Sequence, residues 1–406
     1  MNVVFLSPAY PPEMQMYVRG LAEVGAAVWG VGDAHRDALP AALRGYLSDY
    51  LQVPRILDEE DVTERMDAWL HGRTVDRLVT NWEPLVLLAA RLRERYGVPG
   101  MGVDAVRGFR DKQLMKERVA AAGLRVPRSA RVRTSAEAWE AAERVGWPLV
   151  VKPIAGAGSA DTFRVDSRQE MEAVLAQIGH VAEASVEEYV EGDEFTFDSV
   201  CVDGTPVFEN VAQYLPKPLL ARTNEWISPV IITVRDMAQP ELQPGIALGR
   251  QVLAALGMGT GFTHMEWFRT AAGEAVFGEI GCRPGGAHLV DQMNYTCDVD
   301  LFREWARATC HGAFQASKER KYNCGIVFKR ALGQGRITRV TGLEEYRRRF
   351  GSGVMVEALL PVGARRRNWK QTLLSDGHII VRDPDWDECY RMSFAAATDI
   401  TMFAGG

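Results

Sequence analysis

The segment Pro148-Leu149-Val150-Val151-Lys152-Pro153-Ile154-Ala155-Gly156-Ala157-Gly158-Ser159-Ala160 decides how the rest of the chain is interpreted. An apolar run of strand length ends in a lysine, a loop of small residues follows, and residues 162–165 again have strand character. The pattern predicts two strands joined by a flap whose backbone amides can approach a ligand closely. A lysine beside bare amides suits phosphate oxygens. A structural turn next to a solvated lysine is the alternative.

Two familiar phosphate-binding loops do not fit this segment. A Walker loop needs Gly-Lys-Ser/Thr at a fixed spacing, which is not found here. A dinucleotide fingerprint needs a helix after the glycines, whereas a strand is predicted. The interpretation therefore depends on partners elsewhere in the chain.

The composition is that of a folded protein with several packed units. The 406 residues exceed what one hydrophobic core normally holds, so about two to four units are expected. A hydrophobic content of 47% and a charged content of 25% are typical of globular proteins. The net charge of -6 argues against a general nucleic-acid binder, which usually carries a basic surface.

Cysteine usage and the N-terminus both predict a cytoplasmic location. The six cysteines are scattered without zinc-ligand spacing, which indicates reduced thiols. The sequence opens directly with a strand, lacks a basic signal region, and has no apolar run of membrane-spanning length.

The N-terminal part of the chain alternates between strand and helix patterns. Strands are predicted at residues 2–7, 27–31 and 78–80, and helices at residues 13–24, 59–70 and 83–96. Such alternation predicts a parallel sheet covered by helices on both faces.

A second lysine lies where a helix begins, in Asp111-Lys112-Gln113-Leu114-Met115-Lys116. Asp111 is a natural N-cap. A cation at Lys112 opposes the helix dipole, so its presence calls for another explanation. Further on, residues 185–200 form an acidic segment in which two predicted strands flank a Glu-Gly-Asp turn. Glu191 and Asp193 of this turn are interpreted as solvated.

Two later strands bring carboxylates together. Residues 262–268 and 275–286 are predicted to form a hairpin in which Glu266 and Glu279 meet, with Phe277 on the same face as Glu279. Two carboxylates among apolar strands repel each other unless a cation lies between them.

Magnesium fits this demand, because it takes one or two carboxylates plus phosphate oxygens. A structural salt bridge of the carboxylates with Arg283 or Arg269 is the alternative.

The order of these parts resembles the ATP-grasp superfamily, and the resemblance covers nearly the full chain. It implies an α/β ATP-grasp fold. It also implies roles for named residues: Lys112 and Lys152 as phosphate ligands, Gly156, Gly158 and Ser159 in the phosphate flap, Glu187, Glu188, Tyr189 and Val190 as the adenine hinge, and Glu194 at the ribose.

The resemblance further implies Glu266 and Glu279 as magnesium ligands, and Arg283, with Lys152, as the catalytic residues that stabilise the acyl phosphate. ATP and magnesium are the implied cofactors, and manganese can substitute. The usual Glu-x-Asn-x-Arg ending reads Glu279-Ile280-Gly281-Cys282-Arg283 here, so the number of metal ions stays open. A water can take the missing position.

Four domains follow from the same resemblance. They are a Rossmann-like pre-ATP-grasp domain at residues 1–108, an ATP-grasp N-lobe at 109–186, a C-lobe at 187–312, and a small β-rich C-terminal domain at 313–406. The last resembles the C-terminal domain of the L-amino-acid ligase and carboxylase branches.

The implied function is that of an ATP-dependent carboxylate–amine ligase of the L-amino-acid-ligase-like branch. Such an enzyme forms a dipeptide-like amide through an acyl phosphate and releases ADP and phosphate. A carboxylase-type enzyme that activates bicarbonate, like biotin carboxylase or the aminoimidazole ribonucleotide carboxylase ATPase subunit, is the runner-up. A nucleotide-binding module without turnover is a third class, and the intact set of lysines, carboxylates and arginine argues against it.

The expected partners are a small carboxylic acid or amino acid and an amine, with no nucleic acid and no membrane. A homodimer is compatible with the resemblance, since dimers are common in the superfamily. The sequence does not name the substrates. Trp226 and His288 are candidates for lining their pocket.

Overall fold

The structure is a computed structural model that describes residues 1–154 and 162–406. Gly156, Gly158 and Ser159, which the resemblance places in the phosphate flap, lie outside the described residues.

The N-terminal unit is a parallel sheet with helices on both sides, as predicted from the alternating pattern. All pairings in the sheet are parallel, in the order β3-β2-β1-β4. Its elements are β1 (Asn2–Leu6), α1 (Met14–Glu23), β2 (Ala27–Gly32), α2 (Ala41–Tyr46), β3 (Leu47–Gln52), α3 (Glu59–Leu70), β4 (Arg77–Val79) and α4 (Val86–Tyr96).

Helix α3 shows how local sequence sets these elements. The Asp58 side chain accepts a hydrogen bond from the Asp61 amide at 3.3 Å, and three acidic residues in the first turn complement the helix dipole. Val62, Met66 and Leu70 recur at helical spacing and are buried against the sheet.

The second unit is an antiparallel sheet of four strands in the order β5-β8-β6-β7. Strands β6 and β7 pair directly, with Val151 opposite Phe163, as the opening segment predicted. The elements here are α5 (Val103–Gly108), α6 (Lys112–Ala121), β5 (Ser129–Val132), α7 (Ser135–Val145), β6 (Leu149–Pro153), β7 (Phe163–Val165), α8 (Arg168–Gln177) and β8 (Ala184–Glu188).

A large antiparallel sheet forms the remainder of the protein. Its eight strands run in the order β13-β12-β9-β10-β11-β14-β17-β16, and β15 pairs with β18 beside it. The elements are β9 (Asp193–Val202), β10 (Thr205–Leu215), α9 (Pro218–Thr223), β11 (Val230–Thr233), α10 (Gln243–Ala255), β12 (Gly261–Arg269), β13 (Ala275–Gly281), α11 (Leu289–Cys297), α12 (Leu301–His311), β14 (Asn323–Phe328), β15 (Arg336–Thr341), α13 (Leu343–Phe350), β16 (Val354–Leu359), β17 (Gly377–Asp383), α14 (Trp386–Thr398) and β18 (Thr401–Gly405).

The connection between the two antiparallel sheets is the acidic segment of the sequence. Strands β8 and β9 follow each other directly but do not pair, because β8 joins the four-stranded sheet and β9 the eight-stranded sheet. The turn at residues 189–192 therefore carries the chain from one sheet to the other.

The C-terminal strands continue the large sheet. Strand β14 pairs with β11, and β17 pairs with β14, so residues 323–383 share one sheet with the carboxylate hairpin of β12 and β13. The predicted domain boundaries stay predictions.

Two further properties concern the cysteines and the helices. Each of the six cysteines is a free thiol. Among the described residues, no helix is long and apolar enough to cross a membrane.

Substituting Gly245 in α10 should destabilise the protein. A Cβ atom there would lie 2.1 Å from Cζ2 of Trp267, whose indole is fully buried. Gly245→Ala should lower the free energy of unfolding by about 1–3 kcal/mol, because overpacking outweighs the gain in helix propensity. Urea denaturation measures the change. Gly45→Ala in α2 is the matched control, since an added methyl group there meets nothing within 4 Å. Equal effects of the two substitutions would contradict the packing argument.

Candidate active site

An open cleft lies between the four-stranded sheet and the β12–β13 hairpin. It brings together most of the residues singled out in the sequence. The predicted residues among its lining are Lys112, Lys152, Glu187, Glu188, Tyr189, Val190, Glu194, Glu266 and Glu279. Arg283 is not among the residues that line this cleft.

Lysines and carboxylates alternate along the cleft floor. Lys112 Nζ lies 2.9 Å from Glu279 Oε2, and Lys152 Nζ lies 3.9 Å from the same oxygen. Lys152 Nζ is also 3.0 Å from Glu187 Oε2, and Lys116 Nζ contacts Glu187 Oε1. The result is a chain of ion pairs that joins α6 to both sheets.

Lys116 is a site residue to which the sequence reasoning gave no role. It lies one helical turn after Lys112 on α6 and is only 3% exposed. Burial lowers the Lys116 pKa to about 8, although the charge of Glu187 opposes this shift. The i, i+4 spacing of the two lysines was the available signal, because it places both on one helix face.

The Glu187 side chain makes contacts about which the resemblance implied nothing, and the role of its segment as the adenine hinge stays a prediction. Its side chain points at the two lysines and is 4% exposed. Burial opposes ionisation, but the charges of Lys116 and Lys152 outweigh it and hold the Glu187 pKa well below its usual range. Glu188 instead turns toward Arg125, whose Nη2 lies 2.7 Å from Glu188 Oε1.

The carboxylate hairpin has the predicted pairing but a local irregularity. Glu266 and Glu279 are direct partners across β12 and β13. A bulge follows, so that Trp267 pairs with Phe277. The prediction that Phe277 shares the face of Glu279 is wrong, because the bulge at Gly278 turns Phe277 into the core.

The acids of the cleft differ in how well their charge is compensated. Burial and then Glu279 raise the Glu266 pKa, while burial and then Glu266 raise that of Glu194. For Glu279, burial is outweighed by Lys112 and Lys152, and its pKa falls to about 2. Glu266 also accepts a hydrogen bond from the Tyr214 hydroxyl at 3.1 Å.

This donor set fits a magnesium ion. Glu266 and Glu279 present oxygen atoms to one cleft, and the raised pKa of Glu266 marks negative charge that a cation would relieve. Among the described residues, no group of three or more His, Cys, Asp or Glu side chains is arranged to hold a metal ion. Phosphate or water oxygens would have to complete the coordination.

Neither arginine of the alternative salt bridge pairs with these carboxylates in the described part of the chain. Arg269 Nη2 lies 2.8 Å from Asp193 Oδ2. Arg283 Nε contacts Glu83 Oε2, and its Nη1 donates to the Pro284 carbonyl at 2.6 Å. The compensating cations of Glu279 are lysines instead.

Glu83 is a second residue to which the sequence reasoning gave no site role. It contacts both Arg283 and Arg110, and these charges overcome the effect of burial and lower the Glu83 pKa. Glu83 follows β4, at the carboxyl edge of the parallel sheet where ligands commonly bind, which was the available signal. A Cβ atom added to Gly281 would lie 3.5 Å from Glu83 Oε2, so this pair adjoins the position of the missing amide.

The sheet arrangement is that of an ATP-grasp fold. Residues 145–291 match a family described as an ATP-grasp domain. The matched region contains Lys152 and both hairpin carboxylates, Glu266 and Glu279.

The sequence is similar to those of two amino-acid ligases of Bacillus subtilis. The chain is 27% identical over 272 residues to an L-arginine-specific L-amino acid ligase of Bacillus subtilis, covering 64% of each chain. It is 32% identical over 279 residues to an alanine–anticapsin ligase of Bacillus subtilis, covering 63% of this chain and 58% of that one. The matched regions thus span 64% and 58% of the lengths of these two relatives, less than two thirds in each case.

Solved structures share the fold over the whole length. An L-amino acid ligase from Bacillus licheniformis superposes with a TM-score of 0.79 at 18% identity, covering 100% of this chain and 99% of that one. An N5-carboxyaminoimidazole ribonucleotide synthetase from Thermotoga maritima gives a TM-score of 0.73 at 18% identity, with the same coverage.

The two hairpin carboxylates should differ in their effect on stability when metal is removed. In chelator, Glu266→Gln should leave the free energy of unfolding unchanged or raise it, because one of two repelling charges is lost. Glu279→Gln should lower it by about 1–3 kcal/mol, because Lys112 and Lys152 lose a charged partner. Urea denaturation in chelator tests both variants.

The pH dependence gives an independent check on Glu279. Its stabilising contribution is present above the unfolded pKa of about 4.3 and is lost as the pH falls toward the folded value of about 2. The difference between Glu279→Gln and the parent should shrink across this window. Equal free energies of unfolding for Glu266→Gln and Glu279→Gln at pH 7 would contradict the predicted difference between the two carboxylates.

Proposed function

We propose that the protein is an ATP-dependent carboxylate–amine ligase that joins amino acids through an acyl phosphate and releases ADP and phosphate. The observation that carries the proposal is the cleft in which Lys112 of α6, Lys152 of the four-stranded sheet, and Glu266 and Glu279 of the eight-stranded sheet converge. The names of the amino-acid ligases to which the chain is similar support this reaction class.

In this proposal the lysines bind the phosphates of ATP. Lys112 and Lys152 exchange part of their contact with Glu279 for phosphoryl oxygens, while Glu187 keeps Lys152 and Lys116 in place. Preorganised cations of this kind stabilise the charge of phosphoryl transfer without moving during the reaction. Tyr189, Val190 and Glu194 bind the nucleoside.

Glu266 and Glu279 would hold magnesium, which when bound neutralises phosphate charge. The Tyr214 hydroxyl fixes the orientation of the Glu266 carboxylate. Glu83 holds Arg283 through Nε, and Nη1 donates to the Pro284 carbonyl, so Nη2 is the nitrogen directed at the acyl phosphate and the tetrahedral intermediate. The four domains and a homodimer stay predictions beside this mechanism.

Activation of bicarbonate is the second candidate. It is favoured by the similarity to a carbamoyl phosphate synthase large chain section of Aquifex aeolicus, 28% identical over 222 residues, which covers 52% of this chain and 38% of that one. Phosphate release measured against amino-acid pairs and against bicarbonate separates the two candidates. Release that depends on bicarbonate alone would exclude the amino-acid ligase.

Lys152→Ala should reduce turnover strongly with little loss of folding. Removing a preorganised charge of this kind costs about 10²–10³ in kcat, or roughly 3–4 kcal/mol. Glu187 retains Lys116 as a partner in this variant, so the carboxylate is not left uncompensated. Phosphate release measures the effect, and Lys318→Ala at an exposed position is the control. Near-native turnover of Lys152→Ala would refute the role of Lys152.

Isotope transfer tests the reaction itself. If the carboxylate attacks the γ-phosphorus, ¹⁸O from a labelled carboxylate must appear in inorganic phosphate, with ADP as the nucleotide product. Attack at the α-phosphorus would place the label in AMP, and a binding module would give neither product. Mass spectrometry of the products distinguishes these cases. Label in AMP would overturn the mechanism.

A further inference from the structure

His288 occupies a position where three parts of the chain meet. Its backbone amide donates to Glu13 Oε1 at 3.1 Å, just before α1. Its ring stacks on that of His378 in β17, with 4.4 Å between centroids. Its Nδ1 lies 2.8 Å from Asp291 Oδ2 in the first turn of α11.

The backbone at this position is strained. Ala287 and His288 have φ values of 56° and 64°, in the left-handed region that residues with a side chain rarely adopt. Such strain persists only where surrounding contacts fix the conformation, and it is found most often at functional sites. Here the contact with Glu13 holds the backbone, and those with Asp291 and His378 fix one orientation of the imidazole.

The loop that carries His288 also carries Arg283. A Cβ atom added to Gly285 would lie 3.1 Å from Nδ1 of His264, two residues before Glu266 on β12. The loop therefore packs beside the hairpin of Glu266 and Glu279. The His288 side chain is 31% exposed, so a small molecule can reach it.

The contact with Asp291 decides which nitrogen can accept a proton. When Nδ1–H donates to Asp291 Oδ2, Nε2 carries the lone pair. The amine substrate of a ligase is protonated at neutral pH and cannot attack until it loses a proton. A base is therefore required for the second half-reaction and not for the first.

We propose that His288, oriented by Asp291, is the general base that deprotonates the attacking ammonium group. This role rests on the proposed ligase function. Nε2 takes one proton from the ammonium, and the freed electron pair forms the new C–N bond. The C–O bond to the phosphoryl group then breaks, and the leaving phosphate takes the bond's electron pair and the second proton of the amine.

The charged surroundings favour a basic imidazole at His288. The hydrogen bond to Asp291 raises the His288 pKa, and burial opposes this effect. The charges of Asp291 and Glu13 raise the pKa further. Burial and then His288 lower the pKa of His378 to about 4, and Arg367 contributes in the same direction. His378 is thus neutral at pH 7, and its ring adds no second positive charge to the stack.

Hydroxylamine separates the two half-reactions. It is already unprotonated at neutral pH, so it captures an acyl phosphate without a base. With an amino-acid pair that is active in the phosphate-release assay, His288→Gln should form the amide about 10²–10⁴-fold more slowly. The same variant should form the hydroxamate of the activated amino acid within about threefold of the parent rate. His35→Gln, at a side chain 65% exposed, should leave both rates unchanged.

Asp291→Asn provides the second readout. Loss of the carboxylate lowers the His288 pKa, so the acidic limb of the kcat profile for amide formation should move to lower pH. Equal losses of amide and hydroxamate in His288→Gln would indicate a structural role and overturn the proposal, as would amide formation within about threefold of the parent. A parent enzyme that forms no hydroxamate with any amino acid would instead refute the ligase function.

Discussion

Two carboxylates, each shared between two lysines, connect the walls of the cleft. Glu187 on β8 serves Lys116 and Lys152, while Glu279 on β13 serves Lys112 and Lys152. Removing these charges from water costs free energy that their attraction only partly returns. The arrangement therefore adds little to stability. Its effect is to hold Lys112 and Lys152 at fixed positions in the cleft, where a polyphosphate can meet them.

The hairpin geometry depends on the bulge at Gly278. A Cβ atom there would lie 2.8 Å from the Glu266 carbonyl oxygen, so only glycine lets the strands approach this closely. The extra residue allows Phe277 and Ile280 to enter the core while Glu279 faces the cleft. Gly278 thus allows one strand to place Phe277 in the core and Glu279 in the cleft.

The parts of the structure that sequence reasoning predicted correctly are those encoded locally. The parallel sheet, the β6–β7 pair and the pairing of Glu266 with Glu279 all follow from short-range patterns. Polar strands were missed, as at β3, where serine, aspartate and glutamine interrupt the apolar pattern. Helix α14 was missed as well.

Contacts between distant segments could not be predicted in the same way. Glu83 meets Arg283 across 200 positions, and nothing in the sequence around either residue names the other. The bulge escaped prediction because strict alternation assumes a regular strand. Lys116 was visible as a lysine one turn after Lys112, but its burial depends on how α6 packs against β8.

The continuity of the large sheet has a consequence for recombination of this fold. Strand β11 is hydrogen-bonded along its full length to β14, with Val230 opposite Val327 and Thr233 opposite Cys324. A chain that ended at residue 312 would expose this apolar edge, and an exposed edge of that kind promotes intermolecular strand pairing. The last ninety or so residues therefore cannot be exchanged as an appended module. A viable chimera has to inherit β11 and β14 from the same parent, so crossover points are restricted to the loops outside this pair.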